Sequence, residues 1–336
     1  MSQSAENSNR VLDIQNLVVR FETDDGVCHA VNGLDMQVEK GKALGLVGET
    51  GAGKTTTALS MLRLVPDPPG VVECEKLLVN GRDILNMSAR DLEKVRGKDI
   101  SMIFQDPMTA LNPVFTVGEQ IAESIMLHED VTPAEAKARA VEMLEMVGIP
   151  GERNTEYPHE FSGGMKQRVV IAIALACHPQ LLIADEPTTA LDVTIQAQVL
   201  DLMKNLIKKY QTSLIMITHD LGIVAEICDD VAVMYGGNIV EQGTLEEVFN
   251  HTRHPYTEGL FNSLPNINDR KAKLTPIKGL MLDPMEMPPG CPFAPRCPYA
   301  DEKCNTPPEK RYFSDTHFIR CAAYDRPGFH IERKER

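Results

Sequence analysis

The sequence contains no tryptophan, and aromatic residues make up only 5% of its 336 residues. Few side chains are therefore available to stack against the bases of single-stranded nucleic acid. The chain also lacks a basic surplus, because 48 acidic residues against 34 lysines and arginines give a formal net charge of −14. Nucleic-acid-binding proteins usually show a basic balance or a basic face. Both absences argue against a protein that acts on nucleic acid.

Long hydrophobic runs are missing as well. The longest apolar run, Val169 to Cys177, has nine residues, whereas a membrane-spanning helix needs roughly 20. The first ten residues are polar and lack the apolar core of a signal peptide. We therefore expect a cytoplasmic globular protein whose role at a membrane, if it has one, depends on a partner.

Eight cysteines are present, and four of them are scattered through the first 230 residues, where buried free thiols are the expectation. The other four have the spacing C-x5-C-x6-C-x16-C near the C-terminal end; they are Cys291, Cys297, Cys304 and Cys321. Four thiolates suit a [4Fe–4S] cluster or a tetrahedral zinc ion. The spacing is not that of common zinc modules, and interleaved prolines favour a cluster-binding loop. Unligated or disulfide-linked thiols are the remaining alternative, although disulfides are rare in the cytoplasm.

The hydrophobic pattern predicts an α/β fold. Short β-type runs fill the segment from Val11 to about Lys40, and residues 107–178 are mostly helical in pattern, which predicts an inserted helical subdomain. Apolar strands at 180–185 and 212–218 flank a helix from Val193 to Tyr210. Strand, helix and strand in that order predict a right-handed crossover in a parallel sheet.

Local signals mark further boundaries. Capping boxes at Ser88–Asp91, Thr132–Glu135 and Thr244–Glu247 predict three helix starts, and Gly236-Gly237 predicts a hairpin turn. After about Pro265, proline and glycine become frequent and periodicity fades. We predict a flexible tail at 1–10, a main domain at 11–264 and a small cysteine-rich extension at 265–336.

The segment GETGAGKT follows a predicted strand and precedes a predicted helix, and it fits the phosphate-binding pattern G-x-x-x-x-G-K-[ST]. Glycines let the backbone N–H groups approach a polyphosphate, and the following helix directs its positive end at it. Lys54 would supply a cation to the β- and γ-phosphates, and the Thr55 hydroxyl would ligate Mg²⁺. The predicted nucleotide-binding residues of this loop are Gly48, Glu49, Thr50, Gly51, Ala52, Gly53, Lys54, Thr55 and Thr56.

Two adjacent carboxylates end the buried strand LLIAD. Asp185 at the carboxyl edge of the sheet is placed to hold Mg²⁺, usually through its waters. Glu186 would orient or deprotonate an attacking water. Taken alone, the pair is equally typical of a strand that ends in a solvated acidic turn, but beside a phosphate-binding loop the catalytic interpretation is favoured.

The segment EFSGGMKQR makes a family recognisable. Residues 11 to about 250 resemble the nucleotide-binding subunit of an ABC transporter, whose signature is usually L-S-G-G-Q. Here Phe161 replaces the leucine and Met165 the glutamine, while the core Ser162, Gly163 and Gly164 is kept. The resemblance implies an ABC-type P-loop fold with a mixed sheet, an antiparallel β subdomain and a helical subdomain. It also implies ATP and Mg²⁺ as ligands.

The resemblance assigns roles to further residues. Gln105 corresponds to the loop glutamine that senses Mg²⁺, His219 to the switch histidine at the γ-phosphate, and Phe21 to the aromatic residue that stacks on adenine. Ala190-Leu191-Asp192 corresponds to the loop between opposed sites. In this family two such domains face each other, so that the phosphate-binding loop of one and the Ser-Gly-Gly turn of the other enclose each ATP. With Glu186, Gln105 and His219 all matching, we expect a hydrolytically competent site.

Residues 254–265 and 290–304 resemble the C-terminal extension of oligopeptide, dipeptide and nickel importer ATPases, most closely the D-type subunit of peptide importers. The resemblance implies a second related ATPase in a heterodimer, two permeases and an extracytoplasmic binding protein, with this subunit peripheral on the cytoplasmic face. It also implies an iron–sulfur cluster at the four cysteines. The alternatives are a nickel or other small-solute importer, a soluble ABC ATPase acting on DNA or ribosomes, and a regulatory module without turnover.

Overall fold

The computed structural model describes residues 9–189, 191–264 and 275–331. The smaller of its two sheets is antiparallel and has the order β2-β1-β5-β6, with β4 also paired to β1. Its strands are β1 (Arg10–Thr23), β2 (Gly26–Glu39), β4 (Gly70–Glu73), β5 (Lys76–Val79) and β6 (Arg82–Asp83). The long β1–β2 hairpin confirms the β-type pattern predicted up to Lys40.

The larger sheet has eight strands in the order β12-β13-β11-β10-β3-β9-β8-β7. Its strands are β3 (Ala43–Val47), β7 (Ile100–Ile103), β8 (Leu181–Asp185), β9 (Ser213–Thr218), β10 (Asp230–Tyr235), β11 (Asn238–Thr244), β12 (Arg311–Tyr312) and β13 (Phe318–Ile319). The five strands from β10 to β7 are parallel, and every residue of β3, β8 and β9 is buried. Burial on both faces is why these strands are continuously apolar in sequence.

Ten α-helices are described. They are α1 (Lys54–Met61), α2 (Ala89–Val95), α3 (Pro107–Ala110), α4 (Val117–His128), α5 (Pro133–Met146), α6 (Gly163–Leu175), α7 (Val193–Tyr210), α8 (Leu221–Ile227), α9 (Leu245–Asn250) and α10 (Pro255–Asn262). Helices α3 to α6 lie between β7 and β8 in the chain and form the predicted helical subdomain. Over the described ranges, no helix combines the length and the apolarity that spanning a bilayer requires.

Local signals set several of these boundaries. Helix α5 begins behind the capping box of Thr132 and Glu135 and is followed by Gly148 at φ 76°. Helix α7 has the predicted bounds, with the Asp192 carboxylate accepting a hydrogen bond from the Ile195 N–H at 3.0 Å. The sequence pattern gave no separate prediction for β4, β7 or α8, because these elements are too short to show a period.

The residues after 275 join the main body of the fold. Strand β13 pairs with β11 and extends the large sheet at its edge. Helix α10 places the ring of Tyr256 5.3 Å from that of Phe293. The predicted boundary near Pro265 falls beside the undescribed residues 265–274, and residues 1–8 of the predicted tail also lie outside the described residues. The domain limits therefore stay predictions.

Candidate functional site

The glycine-rich loop connects β3 to α1 at the carboxyl edge of the large sheet. Gly48 has φ 158°, and a Cβ there would lie 2.2 Å from the Met234 carbonyl oxygen. Gly53 has φ 99°, and a Cβ there would lie 2.3 Å from the Ala30 carbonyl oxygen. Neither position accommodates a side chain, because backbone cannot move aside as a flexible side chain can. The tight path of the loop explains why both residues are glycine.

Lys54 at the start of α1 is only 7% exposed. Its ammonium donates hydrogen bonds to the carbonyl oxygens of Gly48 at 2.7 Å and Glu49 at 2.9 Å. Burial lowers the pKa of Lys54, against the opposing attraction of nearby carboxylates. A desolvated ammonium held by two neutral carbonyls is poised to bind an anion that offers it more favourable contacts.

Asp185 ends β8 as a buried carboxylate beside the helix that starts at Lys54. Burial raises the pKa of Asp185, in opposition to the hydrogen bond between this carboxylate and the Thr55 side chain. A carboxylate and a hydroxyl in contact form the oxygen donor set that Mg²⁺ prefers. The residues therefore fit the ion that the sequence predicted for them.

Glu186 follows directly and is contacted by three side chains. Its carboxylate lies 3.0 Å from Nδ1 of His219 and accepts hydrogen bonds from Thr189 Oγ1 at 2.9 Å and Gln105 Nε2 at 3.4 Å. Burial acts to raise the pKa of Glu186, but its hydrogen bonds with His219 and Thr189, together with the electrostatic attraction of His219 and Lys54, hold that pKa below its usual value. An ionised carboxylate is the form that accepts a proton from water.

Lys54, Gln105 and Glu186 line one cleft of about 290 Å³. Asp185 and His219 are not among its lining residues, but they contact two of them, Thr55 and Glu186. The residues lining it are Phe21, Cys28, Ala30, Thr50, Gly51, Gly53, Lys54, Thr55, Thr56, Gln105, Glu186 and Pro284. Besides Gln105, seven of the predicted nucleotide-binding residues line the cleft. One is Phe21 of β1, and the other six belong to the predicted phosphate-binding segment: Thr50, Gly51, Gly53, Lys54, Thr55 and Thr56. The sequence did not indicate Cys28, Ala30 or Pro284, which reach the cleft from distant parts of the chain.

Other predicted residues lie elsewhere. Ser162 is the N-cap of α6, with its hydroxyl accepting from the Met165 N–H at 3.4 Å. Gly163 begins that helix, and Gly164 packs close to Ile195 of α7. None of these three residues, all within the described ranges, lines the cleft. Ala190 lies outside the described residues.

The Glu49 side chain is held by a residue that sequence reasoning missed. Arg296 pairs with the Glu49 carboxylate through both terminal nitrogens. The Tyr256 hydroxyl accepts a hydrogen bond from the backbone N–H of Glu49. Arg296 is 247 residues away in sequence, so no local pattern could have indicated it. Gly48, Glu49 and Ala52 belong to the loop but do not line the cleft.

The four clustered cysteines are neighbours in the structure. Burial raises the pKa of Cys291, that of Cys297 to about 11 and that of Cys321 to about 12, and the other three thiols add to the rise at Cys321. The Cys291 N–H donates to the Cys304 carbonyl at 2.8 Å. Among the described residues, no group of three or more His, Cys, Asp or Glu side chains has the geometry of a metal site. The side-chain arrangement therefore does not support the iron–sulfur or zinc site expected at these cysteines.

Comparison with protein-family models identifies two regions. Residues 31–189 match the family described as ABC transporter, and residues 240–304 match the oligopeptide/dipeptide transporter, C-terminal region. Among curated proteins, the oligopeptide transport ATP-binding protein OppD of Bacillus subtilis (strain 168) is 50% identical, over 93% of this chain and 88% of its own length. The dipeptide transport ATP-binding protein DppD of the same organism is 47% identical, over 96% of this chain and 97% of its own length.

Solved structures share the fold. The cbiO1 protein of Clostridium perfringens, part of the ABC transporter complex cbiONQ, is 27% identical and superposes with a TM-score of 0.61 over 72% of this chain and 91% of its own. The ATP-binding cassette MJ0796 bound to ADP and Pi superposes with a TM-score of 0.62 at 23% identity, over 70% of this chain and 98% of its own. The ABC-type P-loop fold is thus confirmed. The chain belongs to the ATP-binding subunits of ABC transporters, in the group that carries the oligopeptide/dipeptide transporter C-terminal region.

Proposed function

We propose that this chain binds and hydrolyses ATP to drive the uptake of di- and oligopeptides by an ABC importer. The relatives named for oligopeptide and dipeptide transport support the peptide substrate, since they match over nearly the whole chain. The observation that carries the catalytic part is the cleft in which Lys54 and Glu186 face one another beside the Thr55–Asp185 pair.

The cleft supplies each group that phosphoryl transfer to water requires. The loop N–H groups and the Lys54 ammonium bind the β- and γ-phosphates, while Phe21 packs against the base. Thr55 and Asp185 would hold Mg²⁺, which offsets the charge of the phosphate oxygens when bound. Glu186 accepts a proton from the attacking water as a new P–O bond forms and the bond to ADP breaks, and His219 and Gln105 hold Glu186 in place.

The assembly follows from the position of the signature turn. Because Ser162, Gly163 and Gly164 are outside the cleft, we propose that they complete the ATP site of a second, related ATPase chain, as the family resemblance implies. Two permeases and an extracytoplasmic binding protein would complete the importer. This subunit would then lie on the cytoplasmic face of the membrane.

The Glu186→Gln variant tests the proposal in the assembled importer. We expect ATP turnover and peptide uptake to fall by about 10²–10⁴-fold, the usual contribution of a general base, with nucleotide binding retained. Glu22→Gln is the control, because Glu22 is an exposed glutamate of the β1–β2 hairpin outside the cleft. Unchanged turnover in Glu186→Gln would contradict the assignment of Glu186 as the general base. If the importer took up nickel instead of peptides, the proposed peptide substrate would be wrong.

We also propose that the four clustered thiols hold a [4Fe–4S] cluster in a structural role, with zinc as the alternative. Supporting this are backbone N–H groups that bond three of the sulfurs: those of Phe293 and Ala294 at Cys291, Tyr299 at Cys297 and Ala323 at Cys321. Such hydrogen bonds to sulfur are among the features that tune iron–sulfur clusters. A bound cation would also offset the cost of ionising these buried thiols.

A further inference from the structure

An ion pair connects the residues after 275 to the glycine-rich loop. Arg296 donates from Nη1 to Glu49 Oε2 at 2.6 Å and from Nη2 to Glu49 Oε1 at 3.1 Å. The Arg296 side chain is only 5% exposed and that of Glu49 25%. A two-pronged pair of this kind fixes the orientation of both groups as well as their distance.

The backbone of Glu49 is engaged at the same time. Its N–H donates to the hydroxyl of the buried Tyr256 at 2.8 Å, and its carbonyl oxygen accepts from the Lys54 ammonium at 2.9 Å. The position of Glu49 therefore bears directly on the cation that we assign to the phosphates. Any shift of Glu49 changes one of the two carbonyl contacts of Lys54.

Arg296 is itself fixed by the segment around the cysteines. It ends the single 3₁₀ turn Ala294–Arg296, immediately before Cys297. Its Nε donates to the Lys278 carbonyl at 3.1 Å, and Nη1 also contacts the Tyr235 hydroxyl at 3.4 Å. With Nε and both terminal nitrogens bonded, the guanidinium has little freedom to follow a moving loop.

A second contact reaches the other side of the same cleft. The N–H of His29 in β2 donates to the carbonyl of Pro284 at 2.9 Å, and Pro284 lines the cleft with Phe21. The C-terminal extension therefore has two separate contacts with this region: Arg296 holds Glu49 of the glycine-rich loop, and Pro284 lines the cleft next to β2.

We propose that Arg296 is a positioning residue for ATP: by holding Glu49 it keeps the glycine-rich loop and Lys54 in the conformation that binds the phosphates. The proposal rests on the proposed function, in which this loop binds ATP. A loop that is ordered before the ligand arrives loses less conformational entropy on binding, which raises affinity. Arg296 does not line the cleft and does not contact Glu186 or the Thr55–Asp185 pair, so its effect falls on binding and not on the chemical step.

Affinity for a non-hydrolysable ATP analogue, measured calorimetrically on the full chain, tests the proposal. Arg296→Gln should raise the Kd by about tenfold, within the range usual for coupled sites. Arg296→Lys keeps the charge but not the two-pronged geometry, so its Kd should lie between those of the wild type and Arg296→Gln. In the assembled importer, the KM for ATP should rise while kcat stays within about twofold. The matched control is Lys310→Gln, which breaks the 2.6 Å pair with Asp35, another link between the extension and the strands away from the cleft.

Equal affinity in Arg296→Gln and Lys310→Gln would overturn the proposal, and so would a fall in kcat at unchanged KM. If Arg296→Gln does not fold, Glu49→Gln tests the contact from the loop side. Where both single variants fold, the double variant Arg296→Gln/Glu49→Gln should bind the ATP analogue no more weakly than the weaker of the two single variants. If the losses of binding free energy in the two single variants added up in the double variant, the two residues would not act through one shared contact. Lys54→Ala separates the two claims: if it binds nucleotide normally, the site assignment itself fails, whatever Arg296 does.

Discussion

Glu186 has a backbone φ of 46°, a left-handed conformation that residues other than glycine seldom adopt. Its N–H donates to the Ile217 carbonyl at 2.8 Å, which continues the hydrogen bonding of the sheet through the turn. The turn directs the carboxylate toward His219 and Thr189. Strain at one residue is retained here because the surrounding contacts fix it, as is common at active sites.

Removing the Thr189 hydroxyl should shift the pH dependence of turnover. The hydrogen bond from Thr189 lowers the pKa of Glu186, so Thr189→Val raises that pKa. A general base loses activity as pH falls through its pKa, and the acid limb of kcat/KM should therefore move to higher pH. At pH 8, where Glu186 stays ionised, the variant should retain its rate within a few fold.

The pH profile of ATP turnover by the assembled importer provides the measurement. Thr306→Val is the control, because the Thr306 hydroxyl donates to the Lys303 backbone carbonyl at 3.0 Å and neither residue lines the cleft. An acid limb that stays in place, or moves to lower pH, would show that Thr189 does not act on the ionisation of Glu186.

At the scale of elements, local chemistry determined what the sequence could predict. The capping box at Thr132 and the helix from Val193 to Tyr210 are encoded within a few residues of each boundary, and both predictions are confirmed. The glycine-rich loop is equally local, since its conformation depends on glycines at fixed positions. Such features need no knowledge of what packs against them.

Long-range contacts could not be predicted in this way. The two-residue strand β13 pairs with β11, about 75 residues earlier in the chain, and β12 joins the sheet only through β13. Arg296 and Glu49 are 247 residues apart, and each alone is typical of an exposed charge. The pair becomes visible only when the fold removes the arginine from solvent.

Arg296 lies within the segment 291–321 that contains the four clustered cysteines, and the metal content of this segment is testable. Protein purified without oxygen should contain about four iron atoms and show thiolate-to-iron absorption if a [4Fe–4S] cluster is present, or about one zinc if the alternative holds. Cys304→Ser should lose the metal and lower the melting temperature by several degrees. Cys228→Ser, at a buried thiol of the main body, should keep the metal, and metal-free wild-type protein would refute both ligands.

For the whole molecule, the proposed role of the signature turn would divide each ATP site between two chains. Lys54, Thr55 and Glu186 line one cleft, while Ser162 caps a helix and does not line it. A site divided in this way would couple hydrolysis to the approach of a second chain. Turnover can then be linked to movement of the permeases instead of running freely.

Replacing Ser162 therefore tests the division of the site between two chains. Ser162→Ala should leave ATP binding by the single chain unchanged and reduce ATP turnover of the assembled importer by about 10²–10³-fold, the loss expected when a transition-state hydrogen-bond donor is removed. Ser88→Ala is the matched control, because Ser88 is also an N-cap, accepting from the Asp91 N–H at 3.2 Å. Both variants lose a helix cap worth about 1 kcal/mol, so stability alone cannot separate them. Equal turnover in the two variants would show that Ser162 serves only its helix, and the second chain would then have to contribute through other residues.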